Sequence, residues 1–341
     1  MSEQPFERYS RQMLFAPIGP EGQSSLSHAH VLIVGMGALG TVLANHMVRA
    51  GVGMLRMVDR DYVETTNLQR QMLYDEDDVE QALPKVIAAK RKLTKINSVV
   101  QLEAEVVDVS AYNVEALLEG IDLVLDGTDN FQTRMILNDA CFKKYIPLVY
   151  GGAVSSRGMT AIFIPGQTSC LRCLIGSVEG EGDGQTCDMI GVIGPIVDIV
   201  ASFQAVEALK YMVGAFSAQR YSLLTLEVWQ HQIFNMKLPE SKNDCPTCQL
   251  KLYPSLNLRE SQTATLCGRD TVQIKGPKPI ELEQWKHKLS QVCKVNLNPF
   301  LLKAELPEGE RLVLFSDGRV LIQGTEDVIR ARTLYDRYIG S

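Results

Sequence analysis

The chain has 341 residues, 45% of them hydrophobic and 22% charged, as expected for a globular protein large enough to hold two domains. Its net charge of −6 disfavours general nucleic-acid binding, so no nucleic-acid partner is expected. The first residues lack the apolar core of a secretory signal, and the most apolar stretch, 190–203, is interrupted by Pro195 and Asp198. We therefore expect no membrane association, and eight cysteines without an export signal indicate a reducing, cytoplasmic location.

Strands and helices alternate through the first half of the sequence. The predicted strands are 30–34, 54–58, 99–107, 121–125 and 147–150. The predicted helices are a lead-in over 8–26, then 41–50, 85–96 and 131–144. This alternation predicts an α/β fold with a doubly wound, mostly parallel sheet of the Rossmann type.

The pattern changes after Gly151, where a partly antiparallel region is expected. The remaining predicted elements are a strand at 159–164, a long helix at 196–213, a hairpin of strands 311–315 and 320–323, and a closing helix at 326–338. Residues 177–184 are rich in glycine and acidic side chains, which predicts a mobile loop. We predict a first domain over 1–252 and a small α+β domain over 253–341.

Two cysteine pairs stand far apart in the sequence, Cys170-Leu-Arg-Cys173 and Cys245-Pro-Thr-Cys248. Each pair can direct two thiolates at one ion, and four thiolates complete a tetrahedral structural zinc site. The alternatives are buried thiols without a metal, or a disulfide, which a reducing compartment disfavours. The wide separation means that the zinc would tie the end of the first domain back to its middle.

A glycine-rich turn, Gly35-Met-Gly37-Ala-Leu-Gly40, follows the first strand and precedes a helix. Glycines allow a backbone to approach phosphates, and a helix N-terminus favours negative charge. Asp59 ends the second strand, where a ribose-binding carboxylate is expected. Taken alone, this pattern predicts a NAD site or, more simply, a tight turn without a ligand.

The next segment argues against NAD, because it concentrates amide and guanidinium donors beyond the second strand. The candidate side chains are Asp61, Asn67, Arg70, Gln71, Lys85 and Asp129. Hydride transfer needs only a pyrophosphate diester to be neutralised, whereas chemistry on a triphosphate needs several cations near the developing charge. Arg70, Lys85 and a metal ion held by Asp129 would supply them. The competing interpretation is that Arg70 and Lys85 are solvated surface charges.

Together these motifs resemble the E1-like sulfur-carrier adenylyltransferases, the family of ThiF and MoeB, which is related to ubiquitin-activating enzymes. The resemblance spans about residues 8–250. The matching segments are Arg8-Tyr-Ser-Arg11-Gln12, the glycine turn, Asp59-Arg-Asp61, Asn67-Leu-Gln-Arg70-Gln71, Pro84-Lys85, Thr128-Asp129-Asn130 and the two cysteine pairs. One departure is visible, because the family commonly has a glycine a few residues before the Pro-Lys pair, where this chain has Gln81-Ala82-Leu83.

The resemblance implies that ATP adenylates the C-terminal Gly-Gly carboxylate of a small ubiquitin-like sulfur carrier, releasing pyrophosphate. It implies that Asp59, with Asp61 nearby, holds the ribose and that Asn67, Arg70 and Gln71 bind near the phosphates. It further implies that Lys85 stabilises the transition state and that Asp129 coordinates Mg²⁺. Arg11 is expected to reach into the site of a partner subunit, so the active unit would be a homodimer.

Cys187 matches a cysteine that some members of this family use in sulfur transfer, with a cysteine desulfurase or another donor as the sulfur source. Asp188 beside it would disfavour the thiolate, and a loop cysteine without a chemical role is the alternative. Cys141, Cys267 and Cys293 are interpreted as core or incidental thiols. Neither Cys267 nor Cys293 lies in a rhodanese-like loop, so the second domain is expected to lack sulfurtransferase activity.

The tail resembles those of ThiF-type members, which favours a ThiS-type carrier and thiamine thiazole synthesis. Three alternatives remain: a MoaD-type carrier in molybdopterin synthesis, a NAD-dependent oxidoreductase, and a non-catalytic relative of E1 enzymes. A NAD-dependent oxidoreductase would have no chemical role for the Asn67–Gln71 segment or for the paired cysteines. A scaffold would not need Arg11, Arg70, Lys85 and Asp129 together.

Overall fold

A computed structural model describes residues 6–176, 190–257, 263–266, 270–276 and 278–340. The chain divides into two compact units, the first formed by Met1–Gly184 and Val192–Leu258, the second by Gln185–Gly191 and Arg259–Ser341. The domain limits 1–252 and 253–341 remain a prediction about where the chain separates into independent folds.

An eight-stranded sheet forms the centre of the first unit. Its strands are β1 (His30–Val34), β2 (Met54–Asp59), β3 (Gln101–Val106), β4 (Leu123–Asp126), β5 (Leu148–Val154), β6 (Arg157–Phe163), β7 (Ser222–Glu227) and β8 (Gln232–Lys237). The strand order is β3-β2-β1-β4-β5-β6-β7-β8. Strands β1 to β5 are parallel, and β6, β7 and β8 extend the sheet in antiparallel fashion. The predicted α/β class with a mostly parallel sheet is confirmed.

Helices connect the parallel strands. They are α1 (Ser10–Met13), α2 (Gly19–His28), α3 (Ala38–Ala50), α4 (Glu76–Glu80), α5 (Lys85–Ile96), α6 (Val114–Leu117), α7 (Phe131–Lys144), α8 (Leu171–Ile175) and α9 (Gly194–Met212). Short 3-10 turns lie at Glu7–Tyr9, Thr65–Asn67, Phe216–Ala218 and Pro254–Leu256. Across the described part of the chain, no helix has the length and apolar character needed to cross a membrane.

The central strands are apolar over most of their length because helices cover both faces of the sheet. Val31, Leu32 and Ile33 of β1 are completely buried, which explains why a short uninterrupted apolar run predicted this strand correctly. Helix α9 packs on α3 and on strands β5 and β6. Its buried face includes Ile196, Val200 and Ala208, and its exposed face is also apolar, with Ile199, Phe203 and Val206.

The lead-in predicted as one helix over 8–26 is interrupted between α1 and α2. Pro17 lacks an amide proton and disfavours helical geometry in the residue before it. Gly19 has a φ of +56°, in the left-handed region, and Pro20 lies in the first turn of the next helix, α2. The single-helix prediction is therefore wrong at these residues.

The second unit contains a six-stranded antiparallel sheet and two helices. Its elements are β9 (Thr263–Leu266), β10 (Thr271–Lys275), α10 (Leu282–Leu289), β11 (Lys294–Leu297), β12 (Leu301–Glu305), β13 (Arg311–Phe315), β14 (Arg319–Gln323) and α11 (Val328–Tyr338), with strand order β11-β12-β13-β14-β10-β9. The hairpin β13–β14 is present as predicted. Leu289 and Leu334 of the two helices share a core with Leu312 and Val320 of that hairpin, and this is the α+β module expected from the sequence.

Candidate active site and metal centre

Three loops meet at one edge of the first sheet because β2, β1 and β4 are adjacent and parallel. The glycine turn follows β1, Asp59 ends β2, and the segment 127–130 follows β4. Ligands of open α/β sheets bind at this carboxyl edge, where the strand order reverses. The topology therefore brings the predicted nucleotide-binding residues to one place.

The glycine turn depends on close backbone contacts that no side chain would permit. A Cβ atom on Gly40 would lie 1.8 Å from the Gly35 carbonyl oxygen, and one on Gly35 would lie 2.7 Å from the Gly127 oxygen. Gly37 is different, because the atom nearest to a Cβ there is Nε2 of Gln71, at 3.9 Å. Gly35 and Gly40 thus serve backbone packing, while Gly37 is the open position where a phosphate would fit. Sequence analysis missed Gly127, whose place directly after β4 was the available signal.

Asp59 is held by the backbone on both sides. Its Oδ2 accepts a hydrogen bond from the Met36 amide at 2.6 Å, and its Oδ1 accepts one from the Asp61 amide at 2.7 Å. Burial raises the pKa of the Asp59 carboxyl, and the positive charge of Lys85 opposes that shift. The carboxylate has a fixed orientation at the end of β2, next to the glycine turn.

Lys85 is the first residue of α5, and its side chain is only 4% exposed. Its ammonium lies 3.2 Å from Asp61 Oδ2, and its backbone amide donates to the Asp61 carbonyl oxygen at 2.9 Å. A buried ammonium needs such a partner, because desolvation of an unpaired charge costs several kcal/mol, roughly. The interpretation of Lys85 as a solvated surface charge is therefore wrong.

The segment after β2 places its polar side chains beside the glycine turn. Asn67 Oδ1 accepts a hydrogen bond from the Glu64 amide at 3.0 Å and so closes the 3-10 turn. Arg70 donates to the Thr66 carbonyl oxygen at 2.9 Å. Gln71 is buried, and its Oε1 has no hydrogen-bond partner within the described residues. A buried acceptor oxygen without a partner, beside the open Gly37, is a feature that a hydrogen-bond donor on a bound ligand would explain.

Asp129 is exposed at the same edge, just before the N-cap residue of α7. Its loop is rigidly held because the buried Asp126 carboxylate accepts from the Thr128 hydroxyl at 2.7 Å and from Arg134 Nε at 3.2 Å. Arg134 also donates to the Thr128 carbonyl oxygen at 2.6 Å. Burial raises the pKa of Asp126, although Arg134 counteracts this. An exposed carboxylate on a fixed loop could hold a divalent cation, which prefers oxygen ligands.

Arg11 lies away from these residues, on the exposed side of α1. Its neighbours are anchored at the far ends of two helices: Gln12 donates to the Ala50 carbonyl oxygen at 3.0 Å, and Arg8 to that of Ile96 at 2.7 Å. Ala50 ends α3, which begins at the glycine turn and has 13 residues, a length of about 20 Å. Arg11 therefore lies near the opposite edge of the sheet from the glycine turn of its own chain.

The four paired cysteines come together in one cluster, with all sulfur atoms within 4.8 Å of one another. The Sγ atoms of Cys170 and Cys245 are 3.6 Å apart, those of Cys173 and Cys248 3.5 Å, and those of Cys170 and Cys173 3.9 Å. Four thiolates at the usual Zn–S distance of about 2.3 Å in a tetrahedron would be separated by about 3.8 Å. The cluster could therefore hold a zinc ion.

A buried carboxylate links the cysteine turns to α7. Asp139 is completely buried and accepts hydrogen bonds from Thr247 Oγ1 at 2.5 Å, Arg172 at 3.1 Å and the Ser255 amide at 2.8 Å. Arg172 and Thr247 are inner residues of the two cysteine pairs. The neighbouring Asn138 accepts from the Leu171 amide at 2.9 Å. Sequence analysis missed this network, since nothing in the local pattern marks Asp139 as a partner of the cysteines.

The cysteine cluster and the glycine turn lie at opposite edges of the sheet. Cys170 follows β6, whose last residue, Phe163, pairs with Leu148 at the start of β5. Burial raises the pKa of Cys248 to about 11 and that of Cys170 further. Cys141 is buried in α7, and its burial likewise raises the pKa of that thiol, as expected for a core residue. Cys187 and Cys267, together with the loop predicted at 177–184, lie outside the described residues.

These features define an α/β protein of the E1-like type, with a glycine turn, a carboxylate-terminated second strand and a buried lysine at one sheet edge. The sequence matches the ThiF family over residues 9–247. The chain belongs to that family.

Two relatives support this family membership, and one solved structure shares the fold. It is 44% identical to the sulfur carrier protein ThiS adenylyltransferase of Bacillus subtilis over 338 residues, which covers 98% of this chain and 99% of the relative. It is 36% identical to a sulfur carrier protein adenylyltransferase of Thermus thermophilus over 253 residues, covering 72% and 92% of the two chains. The structure of Escherichia coli MccB with ATP superimposes with a TM-score of 0.62 at 23% identity, covering 72% of this chain and 76% of MccB, and supports the fold alone.

Proposed function

We propose that this protein uses ATP to adenylate the C-terminal Gly-Gly carboxylate of a small ubiquitin-like sulfur carrier of the ThiS type. The observation that carries this proposal is the 44% identity to a ThiS adenylyltransferase along 98% of the chain. That alignment includes the second unit, whereas the Thermus relative covers only 72% of the chain. The clustering of Asp59, Lys85 and the glycine turn at one sheet edge supports the same chemistry.

In the proposed reaction, a carboxylate oxygen of the carrier attacks the α-phosphorus of ATP. The bond from that phosphorus to the oxygen bridging to the β-phosphate breaks, and pyrophosphate leaves with the electron pair. No general base is needed, because the carboxylate is already ionised near neutral pH. The product is an acyl-adenylate from which a thiocarboxylate can form.

The roles proposed for the site residues are those that the resemblance to the family implies, and the positions of the residues support them. Asp59 would bind the ribose, with Asp61 holding Lys85 in place. The Asn67–Gln71 segment would bind the phosphates beside Gly37. Lys85 would stabilise the charge that develops at the α-phosphate, since preorganised cations act most strongly where water is excluded. Asp129 would hold the Mg²⁺ that, when bound, neutralises phosphate charge.

Arg11 is proposed to act in the site of a partner subunit, so that the working unit is a homodimer. In its own chain, Arg11 lies near the end of α3 farthest from the glycine turn. A contribution to its own site would have to cross the width of the sheet. If Arg11 enters the site of a second copy of the chain instead, it does not have to cross its own sheet.

The four clustered cysteines are proposed to bind one structural zinc ion, remote from the nucleotide. The sulfur spacing and the tie between both cysteine turns and Asp139 support this assignment. Cys187 is proposed to take part in the later sulfur-transfer step, with a cysteine desulfurase as the donor. The reduced cysteines and the carrier chemistry favour a cytoplasmic location.

A second candidate is the same reaction on a MoaD-type carrier. Relatives named adenylyltransferase and sulfurtransferase MOCS3 are up to 36% identical to this chain over 71% of its length, so the shared core alone does not select a carrier. A NAD-dependent oxidoreductase explains neither the buried Lys85 nor the match to the ThiF family.

ATP–pyrophosphate exchange with purified ThiS-type and MoaD-type carriers, measured side by side, tests the proposal. We expect carrier-dependent exchange, at least about tenfold faster with the ThiS-type protein, and no exchange with a carrier lacking the terminal glycine. Faster exchange with the MoaD-type carrier would select the second candidate. Absence of exchange with both would overturn the adenylation proposal.

A further inference from the structure

The two peptide groups that flank Met36 in the glycine turn are held by side chains from outside the turn. The Met36 amide donates to Asp59 Oδ2 at 2.6 Å. The Met36 carbonyl oxygen accepts a hydrogen bond from the Tyr74 hydroxyl at 2.7 Å. The preceding amide, of Gly35, donates to the Val58 carbonyl oxygen at 2.8 Å. The turn is therefore fixed from β2 on one side and from Tyr74 on the other.

Tyr74 also reaches the helix that carries the buried lysine. Its hydroxyl oxygen lies 3.2 Å from the carbonyl oxygen of Lys85, the first residue of α5. The hydroxyl has one proton, so the two carbonyl oxygens share it in a three-centre hydrogen bond whose shorter arm goes to Met36. Burial, reinforced by the negative charge of Asp59, keeps the pKa of Tyr74 well above its usual value, so this phenol remains a donor.

We propose that Tyr74 is a positioning residue for adenylation, whose hydroxyl sets the glycine turn and the start of α5 at a fixed separation. This inference rests on the function proposed above. The glycine turn would hold the phosphates, and Lys85 must meet the same α-phosphate. A misplacement of about 1 Å between such groups can cost about a hundredfold in rate.

The competing explanation is that Tyr74 only fills space, since its side chain is 7% exposed. Tyr74→Phe separates the two explanations, because it keeps the ring and removes only the hydroxyl. Tyr62→Phe is the matched control. Tyr62 is 3% exposed, lies in the same segment, and donates its hydroxyl hydrogen bond to Glu64 Oε1 at 3.0 Å rather than to the glycine turn.

The experiment measures ATP–pyrophosphate exchange and thermal unfolding of the wild-type protein and both variants. For Tyr74→Phe we expect kcat/KM for ATP to fall about 10- to 100-fold, with KM for the carrier changed less than about twofold. For Tyr62→Phe we expect kcat/KM for ATP within about threefold of wild type, because the ring stays in place and only one neutral-donor hydrogen bond, to Glu64, is lost. Assays are run well below the lowest Tm, so that loss of folded protein does not contribute.

Equal activity of the two variants, or a loss that affects KM for ATP and KM for the carrier alike, would overturn the proposal. If the wild-type protein shows no exchange with any carrier, the adenylation proposal fails separately. In that case ATP binding is measured by calorimetry. An ATP Kd at least about fivefold weaker in Tyr74→Phe than in Tyr62→Phe would still support a positioning role at the nucleotide, and equal Kd values would refute it.

Discussion

The hydroxyl of Thr247 donates a hydrogen bond of 2.5 Å to the carboxylate of Asp139. Thr247 lies between the second pair of cysteines, and Asp139 lies in the middle of α7. The same carboxylate binds Arg172, from between the first pair. One buried acid thus holds both cysteine turns, although they are far apart in the sequence.

Asp139→Asn should weaken zinc binding, because the amide cannot accept all of the hydrogen bonds that orient the two turns. Loss of a group that orients metal ligands typically costs about 10- to 100-fold in metal affinity. Competition with a chromophoric chelator measures this directly. Asp244→Asn is the control, since Asp244 is exposed beside Cys245. Equal zinc affinity in the two variants would contradict a role for Asp139 in the metal site.

Arg11→Ala and Asp129→Ala are each expected to abolish pyrophosphate exchange, and mixing them should restore part of it. In a mixed dimer, one site keeps its own Asp129 and receives the intact Arg11 of the other subunit. Random pairing gives this mixed species in about half of the dimers, so about a quarter of wild-type activity is expected at most, since each mixed dimer has one complete site. No recovery after subunit exchange has been demonstrated would mean that Arg11 acts within its own chain.

Ala82→Gly should be nearly neutral, although it removes a buried methyl group. Ala82 has a φ of +48°, a conformation that costs an L-residue about 1–2 kcal/mol. Relief of that strain offsets the lost burial of about 0.8 kcal/mol and the added freedom of the unfolded chain. A glycine at this position, before the Pro-Lys pair, would adopt the same conformation without strain.

Ala88→Gly is the matched control, since Ala88 is buried inside α5. There the change should cost about 2 kcal/mol, from lost burial and from helix propensity together. Urea unfolding of both variants measures the difference. A cost at Ala82 as large as that at Ala88 would show that the loop before Lys85 is not strained.

Cys187→Ala should retain pyrophosphate exchange but form less carrier thiocarboxylate. Adenylation uses a carboxylate nucleophile and phosphate-binding groups, so it does not need this thiol, whereas sulfur transfer needs a reactive one. Mass spectrometry of the carrier after incubation with ATP, a desulfurase and cysteine reports the product. Cys293→Ser serves as the control. Undiminished thiocarboxylate from Cys187→Ala would leave this cysteine without a chemical role.

The sequence predicted those elements best whose signal is local. Helices α5 and α7 begin and end at the predicted residues: Pro84 precedes the amphipathic α5, and the Asn130 side chain caps α7. Strand β8 was missed because it is exposed along its whole length and therefore shows no regular alternation of buried and exposed residues. Its partner β7 was also missed, although Leu223, Leu224 and Leu226 of this strand are buried.

The residues of the candidate site likewise differ in whether a local sequence pattern identifies them. The glycine turn and Lys85 follow from motifs, but the motif could not show that Gly35 and Gly40 pack against Gly127 while Gly37 stays open. Tyr74 and Asp139 act through partners that lie far away in the sequence, so no local pattern identifies them. The placement of Arg11 near the far end of α3 likewise follows only from a long-range contact, the hydrogen bond from Gln12 to Ala50.

Strands β6 and β8 end on the same side of the sheet, because both are antiparallel to β7. From those ends the chain continues to Cys170 and to Cys245. The proposed zinc would therefore hold together the chain segments that follow β6 and β8, in the outer part of the sheet. Without it, β8 is a fraying edge strand with exposed Ile233, Phe234 and Met236. Such edges pair readily with other chains. Metal-depleted protein should accordingly be lost to aggregation in storage or in the cell, even though the nucleotide site lies at the opposite edge of the sheet.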